Sequence, residues 1–295
     1  MKKLLYSLTM GLALAGLTVA CTTTDLKQTA GDVLVATGND SDENRQIVSA
    51  SGKVLGSVSP SSPKEERSLG GTIALNSFTT QGSLHPDQDV QEYVNLVGRA
   101  IGRRSSRPDL AWRFAVVDRE DINAWAAPGG YIFITSGALQ VMESESELAG
   151  VLAHEITHVT EGHMMKALKR FQFLEGTLEG AQTATDEDLS QLNQAVNEAN
   201  EMLFVRGLGQ NNEFEADTLG VELATAAGYD PRGLGTFLRR IGGSNEPGGW
   251  LNSTHPTTTA RLQRIDAALA QNGLTEYEGA VQSERFERVV GSALK

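Results

Sequence analysis

Apolar residues recur along this chain with two periods, and the changes of period divide it. Val90, Tyr93, Val94, Val97 and Ile101 share one helical face, which predicts a helix over residues 86–104, closed off by Pro108. Three short apolar runs follow: Trp112–Val117, Ile122–Ala127 and Tyr131–Thr135. An acidic turn and then Pro128-Gly129-Gly130 separate them, so they predict three strands of a small sheet. Helical spacing then returns. Leu148, Val151, Leu152 and Ile156 form a stripe, and Ser144 followed by Glu147 reads as a capping box that starts the helix. Leu192, Val196, Ala199 and Leu203 place another helix within residues 189–205. The next covers residues 211–227 and stops at Gly228, ahead of Pro231. Pro231 suits the first turn of a helix over residues 232–241. Leu262, Ile265 and Leu269 mark the inner face of the last clear helix, residues 257–270. The fold class read from this order is α+β: a mainly helical domain with a small three-stranded sheet.

Beyond residues 85–275, taken as the domain proper, the pattern weakens. Residues 22–84 read as a tether or loosely packed arm, in which Val54–Val58 and Thr72–Leu75 either add a strand or wrap the domain. Residues 276–295 read as a C-terminal tail. Met1–Cys21 has the layout of an export signal: Lys2 and Lys3, an apolar run, then small residues. Cys21 is the only cysteine, so it has no partner for an internal disulfide. Leu17–Cys21 resembles a bacterial lipoprotein processing site, in which the cysteine becomes the lipid-bearing first residue. Thr22 rather than an aspartate follows it, the pattern of outer-membrane lipoproteins facing the periplasm of a Gram-negative bacterium. The balance of 25 basic and 37 acidic residues gives a net charge of −12 and argues against a nucleic-acid partner.

The chemistry concentrates in His154-Glu155-Ile156-Thr157-His158. Residues four apart share a helical face, so His154 and His158 can ligate one metal ion while Glu155 reaches a water beside it as general base. Catalytic zinc takes three protein ligands and keeps one position open. The third candidate is Glu213, with Asp217 one turn later placed to accept a hydrogen bond from the outer nitrogen of a ligating histidine. The bland alternative makes this pair an acidic solvent face, and Glu215, on another face, reads as a solvent residue. Ala216 and Gly220 leave room for close helix packing. His163 is either an accessory to the site or an ordinary histidine. His255 and Arg261 flank a loop-to-helix junction and are the candidates to stabilise the oxyanion of a tetrahedral intermediate; His255-Pro256 is otherwise only a helix start, and Arg261 a surface residue. Gly130, Tyr131 and Ile132 begin the strand expected to offer its edge to an extended peptide; the alternative is a structural hairpin.

These motifs, in this order, resemble the M48 family of zinc metallopeptidases, in its soluble periplasmic lipoprotein form. The resemblance rests on Asn123–Leu139, on His154–His158 with His163, on Glu213 with Asp217, and on Ser253-Thr254-His255-Pro256 with Arg261. It implies a zincin-like domain with the sheet beside the metal cleft and one zinc ion held by His154, His158 and Glu213. It further implies endopeptidase action on misfolded or unassembled envelope proteins, with envelope assembly machinery as a possible partner. His255 then lies near the zinc, either steadying the intermediate or blocking access in a resting form. Membrane contact would run through the lipid on Cys21 alone. The competing reading is a chaperone-like or latent metal-binding lipoprotein, with residues 242–254 or 164–180 as its lid.

Overall fold

A computed structural model describes residues 63–175, 186–242 and 255–294. Met1–Cys21, Val54–Val58 and nearly all of the 242–254 loop lie outside the described residues. The elements run α1 (Pro63–Gln81), α2 (Gln88–Gly102), β1 (Arg113–Val117), β2 (Ala124–Ala127), β3 (Tyr131–Thr135), α3 (Ser136–Val141), α4 (Glu145–Thr160) and α5 (His163–Glu175). They continue with α6 (Asp186–Glu201), a π-turn at Met202–Arg206, α7 (Gln210–Ala226), α8 (Gly233–Gly242), α9 (Thr258–Gln271) and α10 (Ser283–Phe286). The fold is therefore mostly helical around one three-stranded mixed sheet, as the hydrophobic pattern predicts.

The strand order is β1-β3-β2. The Pro128–Gly130 turn makes β2 and β3 an antiparallel hairpin, and β1 adds to the far side of β3 in parallel. This corrects one expectation. Gly130, Tyr131 and Ile132 open the middle strand, whose hydrogen-bonding edges are both occupied, so they have no edge to offer a peptide. Within the sheet, the free edge beside α4 belongs to β2.

Side-chain alternation explains why the strands read as almost continuously apolar: both faces of the sheet are covered. Phe114, Val116, Ala126, Ile132 and Ile134 point into a core shared with α2, α4, α7, α8 and α9. Trp125, Ala127 and Phe133 point the other way, against α1, α5, α6 and the π-turn. Helix α1 is thus a packed element within the stretch read as a tether or arm, and Thr72–Leu75 lies inside it rather than in a strand. It shows little helical periodicity because much of its buried face is small, with Ser68, Gly70, Ala74 and Ser77 beside Leu69 and Ile73. Glu66 ties it down by accepting from the Arg107 guanidinium at 2.7 and 2.9 Å and from the Gly129 N–H at 3.1 Å. Ile73→Val, one methylene fewer at a fully buried position, is expected to cost about 1 kcal/mol in urea unfolding. A loosely attached arm would show no change.

The C-terminal stretch is also docked. Phe286 and Val290 are fully buried, and Arg285 Nε donates to the Glu145 carboxylate at 2.6 Å. Glu145, at the start of α4, also accepts from the hydroxyls of Tyr93 and Tyr229 at 2.6 and 2.7 Å. Among the described residues, no helix is long and apolar enough to cross a membrane.

Candidate metal centre

Helix α4 begins where Ser144 Oγ accepts the N–H of Glu147, the capping interaction expected from Ser144-x-x-Glu147. The Glu147 carboxylate accepts instead from the N–H of Glu143 and pairs with Arg240 of α8. From Glu145 to Val159 every residue of α4 is buried, so this helix forms the centre of the domain rather than an amphipathic surface element. Helix α7 crosses it at backbone distance. A side chain at Gly220 would put a Cβ 3.1 Å from the Cα and N of His154, so the absence of one sets how closely the two helices approach.

That crossing gathers the candidate residues. Nε2 of His154 and Nε2 of His158 are 3.1 Å apart. Glu213, in the first turn of α7, places one carboxylate oxygen 3.5 Å from Nε2 of His154 and the other 3.6 Å from Nε2 of His158. Donors bound tetrahedrally to zinc at its usual bond lengths stand about 3.3 Å from one another. Two imidazoles and a carboxylate at these separations fit that ion. His255, three residues ahead of α9, has its Nδ1 in close contact with Glu213 Oε2. His154, Glu213 and His255 offer ligand atoms within 4.8 Å of one another.

The groups behind these donors decide their tautomers. Asp217 Oδ1 lies 3.0 Å from Nδ1 of His154, and an ionised carboxylate can only accept, so in the neutral ring that a metal would bind Nδ1 carries the hydrogen and Nε2 the lone pair. Asp217 is held in turn by Arg261, whose Nε and Nη2 donate to it at 3.0 and 2.6 Å. Arg261 Nη2 also stands 3.3 Å from His154 Nδ1; both atoms carry hydrogens, so this is proximity and not a bond. His158 Nδ1 faces His163 Nδ1 at 2.9 Å, and His163 Nε2 faces Glu215 at 3.2 Å. Sequence spacing did not reveal that last pair of contacts. They depend on a break in the helix after Glu161, where Gly162 adopts φ +64° and α5 sets off in a new direction.

Electrostatics sort the carboxylates. Burial works against ionisation of both Glu213 and Asp217. For Glu213, His255 and His158 outweigh it and hold the group well below the usual carboxylate range. For Asp217, Arg261 and His154 outweigh it and lower the pKa to about 2. Glu155 goes the other way: burial raises its pKa despite the neighbouring positive groups. Burial and the Arg261 charge oppose protonation of His154, but Asp217 and Glu213 prevail and raise it to about 9; burial lowers His158 well below its ordinary value. Glu155 and His255 line a pocket whose walls include Ala124, Val151, Phe237 and Leu238. A carboxyl whose pKa is raised by burial, in a largely apolar pocket, suits proton transfer.

The structure therefore brings together His154, Glu155, His158, Glu213, Asp217, His255 and Arg261. It places Gly130, Tyr131 and Ile132 in and before the central strand, away from any open edge. Ser253 and Thr254 of the late motif lie outside the described residues, as does Cys21.

Residues 85–269 match peptidase family M48. The chain is 28% identical over 204 residues to a beta-barrel assembly-enhancing protease from Yersinia pestis, covering 65% of this chain and 41% of that protein. It is 26% identical over 163 residues to the protein of the same name from Escherichia coli, covering 52% of this chain and 33% of the relative. It is 28% identical over 231 residues to the mitochondrial metalloendopeptidase OMA1 of Arabidopsis thaliana, covering 72% and 44% of the two chains. The match thus spans less than half the length of each of these relatives.

Proposed function

Because the chain belongs to peptidase family M48, we propose that it is a zinc-dependent endopeptidase of the bacterial envelope that cleaves misfolded or unassembled proteins. The observation that carries this reading is the buried cluster of His154, His158 and Glu213 at tetrahedral spacing, with Glu155 beside it facing a pocket. When bound by those three side chains, zinc would polarise the scissile carbonyl and lower the pKa of a water molecule. Glu155 takes the proton from the attacking water and delivers it to the departing amine. A carboxyl whose pKa burial has raised is suited to both halves of that task.

His255 lines the pocket beside Glu155, which supports a role in meeting the oxyanion. Its contact with Glu213 also makes it a candidate fourth donor, which would close the open position in a resting form. Arg261, read from the sequence as catalytic, is taken here as a positioning residue. It is 3% exposed, two of its nitrogens are committed to Asp217, and it acts on the site through Asp217 and His154. Substrate main chain would add to the free edge of β2, a role the sequence reading gave to Gly130–Ile132. Lipid on Cys21 would anchor the enzyme to the outer membrane, facing the periplasm. The Yersinia pestis and Escherichia coli relatives are named for enhancing β-barrel assembly, which supports unassembled envelope proteins as clients and envelope assembly machinery as a partner.

The purified full chain is expected to hold one zinc ion and to cut an unfolded outer-membrane β-barrel protein, but not its folded form. A zinc chelator should stop cleavage, and added zinc should restore it. Stoichiometric zinc without cleavage of any unfolded protein would favour the chaperone-like or latent reading. A folded chain that takes up no zinc would overturn the metal site.

A further inference from the structure

Each candidate histidine ligand has a second ring nitrogen, and the partner of that nitrogen determines how the first can bind. For His154 the partner is Asp217. For His158 it is another histidine, and that histidine leads to the surface. His163 is fully buried, while Glu215 at the end of the chain of contacts is 46% exposed. The proton positions along this chain follow from chemistry. The Glu215 carboxylate can only accept, so the hydrogen of neutral His163 sits on Nε2, 3.2 Å away. His163 Nδ1 then carries a lone pair. It stands 2.9 Å from His158 Nδ1, and one of the two must donate, so His158 carries its hydrogen on Nδ1. The lone pair of His158 is thereby left on Nε2, the atom facing His154 at 3.1 Å and Glu213 at 3.6 Å.

Local geometry makes this arrangement specific. In a continuous helix, residue 163 would sit about 140° around the axis from residue 158 and could not reach its ring. Gly162 at φ +64° ends α4 and lets His163 fold back beneath His158, with the two rings nearly perpendicular at 79°. Glu215 comes from α7, the helix that supplies Glu213, so one helix provides both a candidate ligand and the end of the chain that orients another.

We infer that Glu215 and His163 form a positioning relay that fixes the tautomer and ring orientation of His158 and so tightens zinc binding. The inference rests on reading His158 as a zinc ligand. Partners of this kind, lying behind metal-bound imidazoles, commonly change metal affinity about 10–100-fold when removed.

Zinc affinity of the full chain, measured by competition with a colorimetric chelator, tests this without relying on turnover. His163→Phe keeps a ring of similar size and removes the acceptor; it is expected to weaken zinc binding about 10–100-fold. Glu215→Ala, a change at a half-exposed position that should leave the fold intact, is expected to weaken it several-fold. Glu215→Gln retains a carbonyl acceptor for His163 and should recover most of that loss, a rescue that a merely structural role would not give. Imidazole nitrogen NMR of the zinc-loaded wild type should show His163 protonated at Nε2 and His158 at Nδ1. Wild-type zinc affinity in His163→Phe and Glu215→Ala, or His163 protonated at Nδ1, would overturn the relay and leave the metal site standing. A folded wild-type chain that binds no zinc would remove both.

Discussion

Glu155→Gln is expected to lower kcat for peptide cleavage by at least about 10²–10⁴-fold while leaving KM and zinc content close to those of the wild type. The amide keeps the shape of the side chain but cannot take a proton from water or return one to the amine. Because Glu155 is not one of the three candidate ligands, His154, His158 and Glu213, metal retention should survive the change. Stability supplies a second readout with a sign of its own. Burial raises the Glu155 pKa, so the ionised carboxylate is less favourable in the folded chain than in the unfolded one. A neutral glutamine removes that cost, and the melting temperature of the metal-free variant at pH 7 should equal or exceed that of the wild type. This is the usual relation between a reactive group and the fold that holds it. A variant with retained cleavage would move the proton-transfer role to another residue, of which His255 lines the same pocket.

Arg261→Met is expected to destabilise the domain by about 3–5 kcal/mol, the effect of leaving one member of a buried ion pair without its partner. Arg261 is 3% exposed and Asp217 fully buried, so solvent cannot replace the lost contacts. The pH dependence follows from the folded-state pKa of Asp217. It is depressed to about 2, so in the wild type the carboxylate contributes stability above the unfolded value of about 3.9. That contribution is lost as pH falls through about 2. The deficit of Arg261→Met should accordingly be largest at neutral pH and shrink across the acid window from about 4 to 2, where wild-type Asp217 also becomes protonated. Urea unfolding at a series of pH values checks both size and slope. Zinc affinity should fall about 10–100-fold as well, since Asp217 would no longer be held against His154. The double variant Asp217→Leu/Arg261→Met should regain much of the stability, because apolar replacement of a buried pair is often tolerated. It should not regain the zinc affinity, because His154 would still lack its acceptor. A deficit below about 1 kcal/mol at pH 7 would show that the pair is solvated.

Much of this site is legible in the sequence because it is written in local spacing. His154, Glu155 and His158 follow from helical periodicity, and so does the Glu213–Asp217 repeat on α7. The break after α7 at Gly228 is legible too, since that residue adopts φ +91° where only glycine is unstrained. Gly220 was readable as a small residue permitting close packing, and its backbone stands against His154. Other features are products of tertiary assembly. The three strands can be found from their apolar runs, but whether β3 or β2 lies in the middle depends on where β1 adds, and no turn encodes that. The periodicity of α1 is hidden because it buries serine, glycine and alanine as well as Leu69 and Ile73. Glu215 reads as a solvent residue from its own helix and is indeed half exposed, yet its carboxylate reaches His163 from a neighbouring helix. The end of the chain carries too few apolar residues to announce itself, although Phe286 and Val290 are completely enclosed.

Glu145 and Arg285 are 140 positions apart, and the order of synthesis gives that distance a meaning. A chain still being made holds the first turn of α4, with two tyrosine hydroxyls converging on one carboxylate, long before the guanidinium that neutralises it exists. The apolar space filled by Phe286 stays unfilled for the same interval. Contacts so far apart in sequence are slow to close and are made late in folding. The helix that carries the candidate metal ligands is therefore completed at its base by a residue made 140 positions after Glu145. A product that stops before residue 283 would keep every candidate metal ligand while lacking the segment that holds the base of their helix.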